Sequence, residues 1–318
     1  MRYGNWRRLR GAENALGHER NGKMKGLIHI GANKTASTLL QRRLFAKHPA
    51  IAYLGEDCAD FDGIGKELET LIQRDDSYFD ERSAEELFRR RAEEPGRSVL
   101  VFSSEDILTA RHPSVCATRL KRLMPDAKVV LVVRNQLSTW PSWYINHGAY
   151  LKGVPKRYWR RHVRFEEWLD YCFAFPDQTP VEAMNYWRHW ETFAKAFGRE
   201  QINVLLYEDL IKDPSAYYGQ WAELLGLPAA EVAAQLTGKR ERNRYSHRRF
   251  CFDRWKASIP LSETFLESLL SSWMDRGAPA ETVLPPEKEK DIRNYYAAGN
   301  RSLEEMTGLP LAQNGYPV

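Results

Sequence analysis

The stretch from Leu27 to Gln41 constrains this chain more than any other. An apolar run, Leu27-Ile28-His29-Ile30, ends at Gly31 and a short polar turn, Ala32-Asn33-Lys34-Thr35-Ala36-Ser37-Thr38. The turn opens an amphipathic segment that continues through Leu39, Leu40, Arg42, Arg43, Leu44 and Phe45. The pattern reads as strand, loop, helix. Where a helix begins, the first N–H groups have no intrahelical acceptor and the helix dipole is positive. Hydroxyls and a lysine at that point therefore make a receptor for one anionic group. The bland counterpart is a hydroxyl-capped helix start carrying a surface lysine, and the rest of the chain has to decide between them.

A nucleoside-triphosphate loop of the Walker type needs glycine directly before the lysine and another five residues earlier. Asn33 and Ile28 stand there instead.

At 318 residues and 43% apolar content the chain is long enough to bury a full α/β core. Its net charge of +5 looks like an invitation to nucleic acid until it is located. Residues 1–25 hold seven basic and two acidic residues, which accounts for the whole excess. The body is neutral, so the charge says little about function. A nucleic-acid binder acting through the tail stays a competing reading, one in which deleting the tail removes most of the affinity. No apolar run suits a signal peptide or reaches the 18 residues of a membrane span, from which a cytoplasmic protein is expected. Cys58, Cys116, Cys172 and Cys251 are widely spaced and have no C-x-x-C pair, which reads as buried free thiols rather than a zinc site or disulfide framework.

Further apolar runs at Ile51–Leu54, Ser98–Phe102, Lys128–Val133 and Gln201–Tyr207 read as strands. Helices are expected over two stretches within 63–94 and over about 114–123, 138–149, 165–174, 181–197 and 214–225. The last third is mostly helical. Continuous apolar strands separated by helices imply a parallel sheet covered on both faces, whose ligand crevice lies beyond the carboxyl ends of the strands. Three such ends carry polar chemistry: the Lys34 loop, the turn Ser103-Ser104-Glu105-Asp106, and Arg134.

Arg134 follows the strongest strand, and Ser142 lies eight residues on. An arginine fork at a strand end and a hydroxyl two turns into the following helix can meet on one phosphate. Lys34-Thr35-x-Ser37-Thr38 resembles the 5′-phosphosulfate loop of sulfotransferases that use 3′-phosphoadenosine 5′-phosphosulfate (PAPS). Arg134-Asn135-Gln136 with Ser142 resembles that family's 3′-phosphate motif. The resemblance extends to Tyr207-Glu208-Asp209-Leu210 with Asp213-Pro214, and to Asn300-Arg301-Ser302-Leu303 through Gly315-Tyr316-Pro317, which read as structural. The chain is thereby similar to the bacterial and heparan-type branch of PAPS-dependent sulfotransferases.

The resemblance implies a P-loop-like three-layer α/β fold with a central, mainly parallel five-stranded sheet and a helical C-terminal part. Residues 26–318 would form one domain behind a flexible tail of 1–25, with an aromatic and basic acceptor or lid region over about 137–200. It implies Lys34 on the bridging oxygen of the phosphosulfate, and Thr35, Ala36, Ser37 and Thr38 around the 5′-phosphate. Ala36 stands where glycine is common, and alanine resists positive φ. Arg134 and Ser142 would hold the 3′-phosphate, joined by Arg244 and Ser246 from the basic cluster 239–249. Glu105 occupies the place of the heparan-type base. A carboxylate of ordinary pKa needs burial to act as a base toward a hydroxyl; otherwise Glu105 simply favours the dipole of a helix start.

His147 and Trp159 are candidate acceptor contacts, the latter within a segment where six basic residues between Lys152 and Arg164 meet no acid. His29, inside a strand, reads as packed rather than catalytic. No metal ligand set is present in the pattern, and none is needed for such chemistry. The expected reaction moves a sulfuryl group to a hydroxyl, or less readily an amine, of a glycan or small molecule. A P-loop-type kinase using ATP is the alternative.

Overall fold

The fold was analysed in a computed structural model that describes residues 24–32, 34–56, 58, 61–148, 163–176, 179–238, 245–256 and 273–318. Five strands form one sheet: β1 (Lys25–Gly31), β2 (Ile51–Gly55), β3 (Val99–Ser103), β4 (Lys128–Val133) and β5 (Ile202–Leu206). All pair in parallel in the order β2-β3-β1-β4-β5. Lys25, assigned from sequence to the tail, is the first residue of the central strand.

The helices are α1 (Ser37–Leu39), α2 (Phe61–Gln73), α3 (Glu81–Ala92), α4 (Pro113–Leu123), α5 (Gln136–Trp143), α6 (Phe165–Ala174), α7 (Pro180–Ala183) and α8 (Tyr186–Phe197). They continue with α9 (Tyr207–Lys212), α10 (Pro214–Leu225), α11 (Ala229–Leu236), α12 (His247–Lys256) and α13 (Pro286–Thr307). The helix expected over 181–197 is broken between α7 and α8, and the one expected from 138 starts two residues earlier. The break follows from Asn185, whose carbonyl accepts the N–H of Arg188 and His189 and so starts a second helix.

Strand alternation sorts the side chains to two faces. Ile28, Ile30, Leu100, Phe102, Val129 and Leu131 face a core completed by α2, α3, α4 and α8. Leu27, Val99, Val101, Val130 and Val132 face Leu44, Phe45, Trp221, Leu225 and Val232 from the helix after β1, α10 and α11. Burial on both faces explains why the strands read as continuous apolar runs. The three layers are those expected from the sequence. None of the described helices is long and apolar enough to cross a membrane. None of the four cysteines forms a disulfide; Cys251 is exposed and the other three are buried.

The C-terminal part is stitched to the sheet. Asn300 of α13 exchanges hydrogen bonds with Gln136 (3.1 and 3.2 Å) and donates to the carbonyl of Pro317 at 2.7 Å. Asp213 accepts the N–H of Ala216 and caps α10, with Pro214 at its first position. Asn300, Asp213 and Pro214 are thus engaged in holding the fold together.

Candidate active site

Because all five strands run the same way, their carboxyl ends share one edge. The central strand sets the layout. His29 of β1 lies opposite Ser103 of β3, and Gly31 lies opposite Val132 of β4. The loop after β1 is therefore flanked on one side by the turn after β3 and on the other by the turn after β4, each about one strand spacing away, roughly 4.8 Å. Backbone bonds tie the three together: Ser104 N–H donates to His29 at 3.3 Å, and Ala32 N–H donates to Val132 at 3.0 Å.

The loop itself is strained. Lys34 (φ 70°) and Ala36 (φ 64°) are the two non-glycine residues with left-handed backbones among the described residues. Each such residue costs roughly 1–2 kcal/mol relative to the right-handed region. Ala36 adopts this conformation despite its β-carbon, which resolves the tension raised by the missing glycine. What holds it is a set of bonds to the loop's carbonyls. Thr35 Oγ1 donates to Ala32 at 2.5 Å, Leu39 N–H donates to Ala36 at 2.9 Å, and Arg134 Nη1 donates to Lys34 at 2.9 Å. With these carbonyls engaged, the loop is held at the start of the helical segment that follows β1, where unpaired N–H groups favour an anion. Strain of this kind concentrates at ligand clamps.

Arg134 is fixed on several sides. Besides the Lys34 carbonyl, its Nε donates to Ser138 Oγ at 3.0 Å, and its guanidinium lies 4.7 Å over the Tyr207 ring. Tyr186, fully buried, donates its hydroxyl to the Arg134 carbonyl at 2.8 Å. Asn135 caps α5 through the Leu137 N–H at 2.9 Å. Ser142 lies on α5 one helical turn beyond Ser138, so Arg134, Ser138 and Ser142 follow one face at four-residue spacing. Ser138, Tyr186 and Tyr207 were not expected here as partners of the arginine. Helical spacing back from Ser142 would have pointed to Ser138, whereas Tyr186 and Tyr207 carry no local signal.

The Lys34 loop and the Arg134–Ser142 segment are each followed by a π-helical turn, Leu40–Phe45 after the first and Tyr144–Gly148 after the second. Such turns are uncommon and often accompany functional sites. Glu105 is half-buried in the 3₁₀ turn Glu105–Thr109, directly after the cap Ser104, whose hydroxyl accepts the Asp106 N–H. Ser104 is thus a cap.

The remaining candidates are placed differently. Ser246 is buried, donates its hydroxyl to the Met274 carbonyl and accepts the Arg249 N–H at 3.0 Å, so here it caps α12 rather than facing a ligand. Arg244 and Trp159 lie outside the described residues, as does the side chain of His147, whose backbone belongs to the second π-helical turn.

The Sulfotransferase family model matches residues 27–231, more than half of the chain. The chain belongs to that family. Among solved structures, a sulfotransferase from Alicyclobacillus acidocaldarius superposes with a TM-score of 0.54 at 18% identity, covering 92% of this chain and 98% of that one. A mouse sulfotransferase, SULT7A1, complexed with PAP gives 0.39 at 14% identity, over 89% and 90% of the two chains. No curated protein matches the sequence. As a sulfotransferase the protein is a transferase enzyme that draws its sulfuryl group from PAPS.

Proposed function

We propose that this sulfotransferase moves the sulfuryl group of PAPS in line to a hydroxyl, or less readily an amine, of a carbohydrate or small-molecule acceptor. Glu105 takes the acceptor's proton as the new S–O bond forms. The bond between sulfur and the bridging oxygen breaks, and Lys34 meets the charge that develops on the departing 5′-phosphate. Thr35, Ala36, Ser37 and Thr38 hold that phosphate, while Arg134 and Ser142 hold the 3′-phosphate. Orienting donor and acceptor supplies much of the acceleration.

The observation that carries this reading is the 2.9 Å bond from Arg134 Nη1 to the Lys34 carbonyl, which unites two phosphate motifs one hundred residues apart. A kinase transferring the terminal phosphate of ATP has no use for a second phosphate clamp at that point. Glu105, in the turn after β3, flanks the loop on the side away from Arg134, which supports its assignment as the base. Four cysteines without a disulfide suit a reducing compartment, in keeping with a cytoplasmic enzyme.

The test is binding of 3′,5′-adenosine bisphosphate (PAP) followed by turnover of PAPS over an acceptor panel. Glu105→Gln is expected to abolish turnover and spare PAP binding; substantial residual turnover removes Glu105 as the base. Magnesium-dependent ATP turnover without PAP binding would favour a kinase instead.

A further inference from the structure

His29 is fully buried in β1, with its ring edge-on to Phe45 at 5.5 Å and to Trp221 at 5.3 Å. Its Nδ1 lies 2.8 Å from Ser103 Oγ, which also accepts Gln41 Nε2 at 3.1 Å. Burial pushes the imidazole down to about 3, so the ring is neutral, with one nitrogen accepting and the other donating. Nε2 has no hydrogen-bond partner among the described residues. Leaving a buried polar atom unpaired is costly, so its persistence next to the strained loop calls for a use.

Gly31 shows where that nitrogen points. A β-carbon at Gly31 would stand 2.1 Å from Ser37 Oγ and 3.1 Å from His29 Nε2. The Ser37 hydroxyl and the imidazole edge thus approach each other through the space that any larger residue at position 31 would fill. Thr35 Oγ1, 3.3 Å from Ser37 Oγ, has given its own proton to the Ala32 carbonyl, so toward Ser37 it can only accept.

We propose that His29 is a positioning residue for the anion loop: once the 5′-phosphate is bound, its Nε2–H donates to Ser37 Oγ and thereby directs the Ser37 proton at that phosphate. The direction of the chain is that of one tautomer. With Gln41 donating to Ser103 and Ser103 giving its own proton to Nδ1, hydrogen lies on Nε2, and Nε2–H can then only donate. Ser37 Oγ keeps two lone pairs whichever way its proton points, and turning that proton from Thr35 to a phosphate oxygen swings one of them toward Nε2–H, which satisfies the orphan donor. Successive donors aligned on one anion polarise one another. The inference rests on the reading of the Lys34 loop as the 5′-phosphate site.

The experiment measures PAP affinity by calorimetry for the full chain, His29→Phe, His29→Gln, Ser37→Ala and the double variant His29→Phe/Ser37→Ala. His29→Phe and Ser37→Ala are each expected to weaken binding about tenfold, the scale of one lost bond near a charge. The double variant should bind about as weakly as Ser37→Ala alone, because both changes cut one chain. Gln, whose amide N–H reaches the place of Nε2, should restore affinity to within about threefold, on the scale of a retained bond. A purely packing role predicts factors that multiply in the double variant and no rescue by Gln, and either result overturns the proposal. Should His29→Phe fail to fold, His29→Asn, which reaches only the Nδ1 side, must weaken binding where Gln does not; equal binding by the two overturns it. Absence of PAP binding by the unaltered protein overturns the site reading itself, and is recognisable as such.

Discussion

The carboxylate of Glu208 accepts the hydroxyl of Tyr316 at 2.8 Å with one oxygen, and with the other it accepts the backbone N–H of Asn135 at 2.9 Å. Asn135 in turn donates from its amide to the Asn314 carbonyl at 3.0 Å. The turn that carries Arg134 is therefore clamped from behind by the last residues of the chain. Tyr316 is buried, and its phenol is held well above its usual range by burial and by the adjacent carboxylate, so it stays protonated and donating.

Breaking that clamp is expected to loosen the proposed 3′-phosphate site at a distance. Hydrogen bonds to a charged group contribute about 1.5–3 kcal/mol each. Tyr316→Phe should lower stability to urea by about that amount and weaken PAP binding several-fold. Glu208→Gln should do both more strongly. Unchanged PAP affinity in both variants would limit the clamp to folding.

Arg134 and lysine are not equivalent here. The guanidinium bonds the Lys34 carbonyl and Ser138 at once and lies over Tyr207, which an ammonium cannot reproduce. Arg134→Lys should weaken PAP binding about tenfold or more, and Arg134→Ala further still. Equal affinities for arginine and lysine at this position, measured by calorimetry, would reduce its role to bare charge.

Ala36 tests the strain in the loop. With φ at 64°, Ala36→Gly relieves the left-handed penalty and adds freedom to the unfolded chain, two effects of about 1 kcal/mol that largely cancel. PAP binding should survive and the melting temperature should move by only a few degrees. Ala36→Val, whose branched β-carbon cannot follow this backbone, should lose binding about tenfold or more.

Acid should destabilise the protein from an unusually high pH. Burial pushes His29 down to about 3 and His189 down to about 4. Both are neutral when folded and regain a pKa near 6.5 when unfolded, so the unfolded state takes up protons first. Their contribution is complete above pH 6.5 and is lost as pH falls from there toward 4 and 3. Each group costs up to about 1.4 kcal/mol per pH unit in that window, so urea unfolding at pH 5.5 should show about 2–3 kcal/mol less stability than at pH 7.5. His29→Gln should remove about half of that drop, and a flat profile would mean that the two rings are not buried in solution.

Much of this protein is legible residue by residue. The five strands are written as apolar runs because each is buried on both faces, and the two phosphate motifs are written as short spacings within one loop and one helix. Those features depend on neighbours in the chain, so period and composition reveal them. The Lys34–Thr38 turn in particular reads as a candidate anion receptor before any fold is known. What the chain cannot write locally is who meets across the sheet. That Arg134 closes on the Lys34 carbonyl depends on β4 lying beside β1, and that Glu208 binds Tyr316 depends on the C-terminal segment returning past β5. Ser246 shows both sides of this limit, since its capping bond from Arg249 is local, whereas its donation to the distant Met274 carbonyl carries no local signal. Pairing of residues separated by one hundred positions is decided by strand order and by the burial of α13, which are properties of the packed whole. Sequence alone therefore marked the Lys34 loop as a candidate anion site, and the tertiary structure decided which side chains stand around it.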